Sequence, residues 1–377
     1  MSLHSLVLCS DNNIMRTLRR VLSDLEISLE HCAEADMAVR RLTRRKFEAV
    51  IVDCDDEDKA TEVLTSLRSA PRNKRAIAVA IIGNAKEVSS AFRLGAHFVL
   101  HKPITLDRAR GSFRAARALM KCERRQNARV TVQIPVSLIG DGKKHQAIVT
   151  SDLGEGGMAI KFSRWTKPTG PVRARFELPG VNHVVECPIE IAWEGAGLEA
   201  GIRFVGLSRE HRDQLRMWLN RCSPDLEPPD PPVRCKLTDL SPGGCYLRTE
   251  TPFPMRTRVV LIVRTSKSAI YADAVVRIMH PDLGMGLEFV RDTDQAREQV
   301  EHLLQSLNRA KGTLPDVEVE PEGLQDGEIR DSRSTDAPLD SLLDLFHRSA
   351  DRPSEDFQAK LSKLRNEKQD AVSAASA

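Results

Sequence analysis

The chain has 377 residues, 41% of them hydrophobic and 29% charged, with a net charge of +3. That length exceeds one ordinary core, so two or three domains are expected. Aromatics at 4% and so weak a net charge argue against a nucleic-acid-binding surface, and no apolar run approaches the roughly 20 residues that would span a membrane. Eight cysteines occur without a Cys-x-x-Cys pair. With no signal-peptide pattern, the expectation is a cytoplasmic protein with reduced thiols, no DNA partner and no membrane insertion.

Residues 1–122 alternate strand and helix. "SLVLC" (5–9), "SLEHCA" (28–33), "FEAVIVD" (47–53), "AIAVAII" (76–82) and "HFVLH" (97–101) read as strands. Helical patterns separate them, the last over 105–122. The helix after the first strand places Ile14, Leu18, Val21, Leu22 and Leu25 on one face. Such alternation predicts a doubly wound parallel (βα)5 sheet, with function at the carboxyl ends of its strands.

From residue 130 the pattern changes to short strands: "RVTVQIPVSLI", "HQAIVTSDL", "GMAIKF", "VRARFEL", "HVVECPIEIAW" and "EAGIRFVG". The helix "SREHRDQLRMWLNRC" (208–222) follows, with Leu215, Trp218, Leu219 and Cys222 as its stripe. Many short strands and one closing helix predict a small antiparallel barrel over 123–222. "SPDLEPPDPP" (223–232) is a proline-rich linker. The barrel pattern then recurs over 233–311: "VRCKLTDL", "CYLRTE", "TRVVLIV", "AIYADAVVRIM" and "GMGLEFV", then a helix near 293–310. This second copy lacks a counterpart of "RVTVQIPVSLI". Residues 312–377 are acidic and polar, and disorder is expected there. "PLDSLLDLFHR" (338–348) interrupts that with Leu339, Leu342, Leu343 and Phe346 at helical spacing, a candidate docking helix.

The two copies share a phrase. "DLGEGG" (152–157) and "DLSPGG" (239–244) both end a strand with Asp and reach Gly five residues on. An Asp there accepts from N–H donors, and a Gly lets backbone approach closely. Before the first copy stands "ERRQNAR" (123–129), where Arg124, Arg125 and Arg129 could grip a phosphodiester or the acceptor edge of guanine. Arg-x-x-x-Arg, a strand, then Asp-x-Ser-x-x-Gly on a six-stranded barrel resembles the PilZ domain, a family that binds the bacterial second messenger cyclic di-GMP. The resemblance implies a ligand site of Arg124, Arg125, Arg129, Asp152, Gly154 and Gly157. Gly154 departs from the serine usual in the family, which costs about 0.5–1.5 kcal/mol for one lost hydroxyl contact. A serine at 154 is therefore expected to hold or improve binding. The second copy keeps Asp239, Ser241 and Gly244 but no arginine segment opens it, so it reads as a degenerate site. Arg234 is its one nearby arginine; Arg212 and Arg216, 87 positions after Arg125 and Arg129, fall on the first copy's closing helix.

The N-terminal domain resembles a response-regulator receiver. Asp53 stands at the phosphoacceptor position, and Lys102 with Pro103 matches the end of the fifth strand. The family holds Mg²⁺ with an acidic pair after the first strand; here Cys9 and Ser10 occupy those positions, with Asp11 just beyond. Gly83 and Val99 replace the switch Ser/Thr and aromatic residue. The domain reads as a pseudo-receiver used for docking or dimerisation, and no metal or other cofactor is expected. Cys9, Cys54 and His101 also lie near strand ends, though their ordinary reading is packing and surface.

Taken together, the chain is expected to be a multidomain α/β plus all-β protein: a receiver-like sheet over 1–122, then two PilZ-like barrels each closed by a helix. The implied function is a non-enzymatic signalling adaptor. It binds cyclic di-GMP through its first barrel and passes the signal to a partner protein through the receiver-like domain or the C-terminal helix. The alternatives are a ligand-free interaction scaffold and a response regulator phosphorylated on Asp53.

Overall fold

The computed structural model describes residues 2–375 apart from 85–86, 141–142, 163–169, 182, 196–197, 224–226, 265–268, 282, 310–315, 326–340 and 350–353. The chain divides into two compact units, residues 123–228 on the one hand and residues 2–122 with 229–377 on the other.

In the second unit, β1 (Leu3–Leu8), β2 (Ile27–Cys32), β3 (Ala49–Asp53), β4 (Ile77–Ile82) and β5 (Phe98–His101) form a parallel sheet in the order β2-β1-β3-β4-β5. β3 and β4 are buried along their whole length, as an unbroken apolar strand must be when both faces of the sheet are covered. The intervening helices are α1 (Asn12–Asp24), α2 (Ala35–Arg44), α3 (Glu57–Ser69) and α4 (Val88–Arg93). Asp11 caps α1, its carboxylate accepting from the backbone N–H groups of Asn13 and Ile14.

α5 (Leu106–Asn127) runs past the expected end at 122 and takes in Arg124 and Arg125. "CERRQN" contains no helix breaker, and the two arginines in the last turn suit the negative end of the helix dipole. The arginine segment is thus helical up to Asn127.

The first barrel lies in the other unit. β7 (Pro135–Gly140), β8 (Lys143–Gly154), β9 (Gly157–Lys161), β10 (Val172–Glu177), β11 (Val184–Glu194) and β12 (Glu199–Phe204) close in the order β8-β7-β10-β11-β12-β9, with β9 pairing back to β8. The short β6 (Val130–Thr131) adds to β8. α6 (Arg209–Cys222) buries Leu215, Trp218 and Leu219, and the Trp218 indole donates to the Pro179 carbonyl at 2.9 Å. Cys222, counted on this stripe from the sequence, is exposed.

The second barrel closes in the order β13-β14-β17-β16-β15-β18, from β13 (Val233–Leu240), β14 (Gly244–Arg248), β15 (Thr257–Arg264), β16 (Ala269–His280), β17 (Gly284–Phe289) and β18 (Asp316–Leu324). α7 (Asp294–Arg309) follows β17 and buries Val300, Leu303 and Leu307. β18 corrects the reading of residues 312–377 as a disordered tail. It pairs antiparallel with β13 and β15, as β7 pairs with β8 and β10 in the first barrel. The strand missing before the second copy is supplied after its closing helix. "DVEVEPEGL" hides it because its outward positions are acidic; the alternation buries Val317 and Val319.

Two helices lie beyond β18: α8 (Ser341–Ser349) and α9 (Ser354–Ala375). α8 falls within the stretch read as a docking helix, with Leu342 and Phe346 buried, Leu343 half-buried, and Leu339 outside the described residues. α9 was not anticipated. The receiver-like domain shares one apolar core with the second barrel, in which Phe113 and Met120 of α5 join Phe253 and Leu261. Gly111 admits this contact: a Cβ there would stand 2.8 Å from the Glu250 carbonyl oxygen. The proline-rich linker is anchored as well, since Asp230 accepts from Arg117 at 2.6 Å and from Lys121 at 2.9 Å.

Candidate functional site

In the first barrel the β8–β9 hairpin carries the shared phrase. Asp152 sits beside a bulge in this pairing, opposite Ala159, whose backbone N–H it accepts at 3.4 Å. Arg129 reaches over the hairpin. Its Nε lies 3.6 Å from Asp152 Oδ1, and its Nη1 donates to the Gly157 carbonyl at 3.4 Å. Arg125 points inward and is 4% exposed, its Nε 3.7 Å from Glu155 Oε1. Its Nε and Nη1 are both buried with no hydrogen-bond partner among the described residues. Arg216 of α6 donates to the other Glu155 oxygen at 3.4 Å. Two arginines therefore share one carboxylate beneath the hairpin, while Arg129 stands 43% exposed above it.

Of the six residues expected here, the fold gathers Arg125, Arg129, Asp152, Gly154 and Gly157; Arg124 lies half-buried on α5. Glu155 and Arg216 were missed as members. "DLGEGG" carries Glu155 as a signal, whereas Arg216 lies on the closing helix and only the fold brings it to Glu155. The glycines have structural duties. A Cβ at Gly157 would collide with the Ile202 carbonyl of β12. A Cβ at Gly154 would fall on the Arg129 guanidinium and 2.5 Å from the Ala128 carbonyl oxygen. A serine at 154 could enter only if the arginine segment, which fills the space, moved.

In the second barrel the β13–β14 hairpin repeats the geometry. Asp239 also follows a bulge, now opposite Tyr246. Ser241 is consumed by the turn: its Oγ accepts from the Gly244 N–H at 3.0 Å while its own N–H donates to the Gly244 carbonyl at 2.8 Å. Asp239 has an arginine after all. Arg365 of α9 donates from Nε to Oδ1 at 3.0 Å and from Nη2 to Oδ2 at 2.5 Å. These bonds raise the Arg365 guanidinium above its ordinary value, against the opposing effect of burial. Arg234 is instead 84% exposed and 4.0 Å from Glu318. Asp239 thus pairs with an arginine from a distant helix rather than with one from a segment that opens the barrel.

In the receiver-like domain Asp53 ends β3 and is buried. The Lys102 ammonium forms ion pairs with Asp53 Oδ1 and Asp55 Oδ2, both at 2.7 Å. Burial works against its charge, but the two carboxylates outweigh it and raise the ammonium above its ordinary value. Cys9 donates to Asp53 Oδ2 at 3.3 Å, and burial pushes its thiol up to about 12. A protonated thiol is no ligand for a hard cation, and Asp11 is spent on the helix cap. The residues around Asp53 do not fit Mg²⁺. Among the described residues no group of three or more His, Cys, Asp or Glu is placed to hold a metal, Cys9, Cys54 and His101 included.

Against known families, the PilZ domain matches twice, over residues 123–221 and 220–306. The chain carries two PilZ domains in tandem. No curated protein matches it. Among solved structures, the receiver domain of a sensor histidine kinase from Pseudomonas aeruginosa PAO1 is 16% identical with a TM-score of 0.29, covering 32% of this chain and 98% of that one. A sensor protein from Polaromonas sp. JS666 is 24% identical with a TM-score of 0.29, over 31% and 98% of the two chains. A chemotaxis response regulator of Vibrio cholerae is 16% identical with a TM-score of 0.27, over 28% and 92%. The 2-1-3-4-5 strand order is itself that of the receiver fold. No helix among the described residues is long and apolar enough to cross a membrane.

Proposed function

We propose that this tandem PilZ protein is a non-enzymatic signalling adaptor whose first PilZ domain binds cyclic di-GMP and whose output is contact with a partner protein. The observation that carries this reading is the placement of Arg129 on Asp152 at the hairpin, with Arg125 beside Glu155 and its Nε and Nη1 without hydrogen-bond partners. A ligand with two phosphodiesters and guanine edges offers the bidentate acceptors that such guanidinium groups prefer. Arg129, the exposed member, exchanges the Asp152 carboxylate for the ligand. Asp152, freed, accepts from the guanine N–H edge.

The test is calorimetric titration of the full chain with cyclic di-GMP. Arg129→Ala should lose at least tenfold in affinity, as expected for a charge-assisted contact worth about 1.5–3 kcal/mol. Asp239→Asn in the second PilZ domain should leave binding intact. An Arg129→Ala protein that binds like its parent would remove the site assignment. A ligand-free scaffold is the second reading, favoured by the burial of Arg125 against Glu155; it expects no heat at any ligand concentration. Phosphorylation of Asp53 has against it the Lys102 and Cys9 contacts that occupy the carboxylate. Acetyl phosphate with Mg²⁺ should leave the protein unmodified.

A further inference from the structure

The second PilZ domain presents a face that the proposed adaptor function does not use, and the chain itself covers it. α9 lays Phe357, Leu361 and Arg365 along one side, spaced i, i+4 and i+8. Phe357 and Leu361 are fully buried in a cluster with Tyr246 of β14, Ile278 of β16, and Leu342, Leu345 and Phe346 of α8. The Phe357 ring lies 5.3 Å from Tyr246 and 4.5 Å from His280. Gln358 donates to the Tyr246 hydroxyl at 3.3 Å. Gly244 and Gly286 make room: a Cβ on the first would approach Leu343 Cδ2 to 3.1 Å, and one on the second would stand 2.7 Å from the Phe346 ring.

The polar end of this face is the PilZ phrase itself. Asp239 stands at the same hairpin position as Asp152, 87 residues on, each just after the bulge. Arg129 meets Asp152 and Arg365 meets Asp239, both through Nε. Ser241 is closed into its turn, so Asp239 is the acceptor that the phrase leaves for a partner.

We propose that the second PilZ domain is a receptor for an amphipathic helix that carries an arginine, and that its occupant is the chain's own α8–α9 segment, held as a releasable latch. The arginine reads the Asp of the PilZ phrase, while the aromatic and leucine positions fill the apolar face of Tyr246 and Ile278. A partner helix with the same Phe-x-x-x-Leu-x-x-x-Arg spacing is the class of ligand that would displace it. The unlatched barrel would then present that apolar face.

Hydrogen–deuterium exchange on the full chain tests this. Arg365→Ala should speed amide exchange in residues 354–365 on the order of tenfold, the effect of losing one bidentate charge-assisted contact, while β15 and β16 keep their protection. Asp239→Arg with Arg365→Asp should restore protection to α9, which a general loss of packing would not do. An added peptide of residues 354–375 should compete with the tethered helix and also speed its exchange. The proposal is overturned by unchanged exchange in α9 of Arg365→Ala. It is equally overturned by an increase spread through β15 and β16, which would make the helices an integral part of the barrel. Protection of α9 that falls on dilution would place the occupant in a second copy and refute the latch within one chain.

Discussion

Cutting the chain at two points separates what β18 does from what the helices after it do. A chain ending at 325 loses α8 and α9; one ending at 311 also loses β18. The second cut opens the barrel along two edges, since β18 pairs with β13 from Val233 to Lys236 and with β15 from Thr257 to Ile262. It removes Val317 and Val319, which are 1% and 0% exposed. Two fully buried valines contribute about 3–6 kcal/mol together. Each ladder hydrogen bond adds a net of about 0.5–1.5 kcal/mol, and the newly exposed edges invite aggregation. That sum is comparable to the whole stability of a domain, about 5–15 kcal/mol. The chain ending at 325 should keep a folded second barrel, and the chain ending at 311 should not. Amide exchange of β13 and β15 reads the outcome. All three tryptophans fall within residues 123–221 of the sequence, the first PilZ match, and Trp193 and Trp218 belong to β11 and α6, so their fluorescence reports whether that domain stays intact. Full protection of β13 and β15 in the shorter chain would refute the assignment of β18 as the closing strand.

Three further substitutions have signs that ordinary rules would reverse or miss. Gly111→Ala should destabilise by about 1–3 kcal/mol in urea denaturation, because its Cβ would stand 2.8 Å from the Glu250 carbonyl oxygen; an unconstrained helix would gain about 0.5–1 kcal/mol from the same change. Gly154→Ser should lower the urea midpoint read by tryptophan fluorescence and detach Arg129 from Asp152, with no gain in affinity for cyclic di-GMP. His280 is buried against Phe357, and that burial lowers its pKa from 6.5 to about 4. The fold therefore prefers the neutral ring, and the stability it contributes is complete above pH 6.5 and lost as pH falls toward 4. The loss is on the order of 3 kcal/mol across that window. His280→Gln should flatten the pH dependence of the second barrel's stability; an identical profile would show that another group titrates.

The α/β sheet was legible because β3 and β4 are continuous apolar runs, and the barrels because their strands alternate. What escaped had weaker local signals. β18 buries its valines between acidic residues, so acidic composition outweighed its alternation. Arg365 lies 126 residues beyond Asp239, a separation at which only the folded chain makes the pair visible. Glu155 was in view within the shared phrase, but its use depends on Arg216 coming from α6. The local geometry of Gly154 was likewise out of reach, because the space a side chain needs is set by the path of Ala128 and Arg129. The helical continuation of α5 could have been read from "CERRQN" alone, where nothing stops a helix.

The two barrels differ most in the end of the chain that completes them. In the first, the arginine segment and β7 both precede the β8–β9 hairpin. In the second, β18 and Arg365 both follow the closing helix. The fold tolerates either order because β7 and β18 occupy the same slot between corresponding strands, and strand pairing is indifferent to which terminus delivers the strand. The consequence for the arginine is not symmetric. Arg125 and Arg129 come from the end of α5 and the two residues after it, at the entry to the barrel, whereas Arg365 comes with a helix that buries Phe357 and Leu361. An arginine delivered on an apolar helix face can leave Asp239 only if that face is uncovered as well. Release then depends on what next meets Tyr246 and Ile278, so on the proposed reading the second domain answers another helix, and the first a small anion.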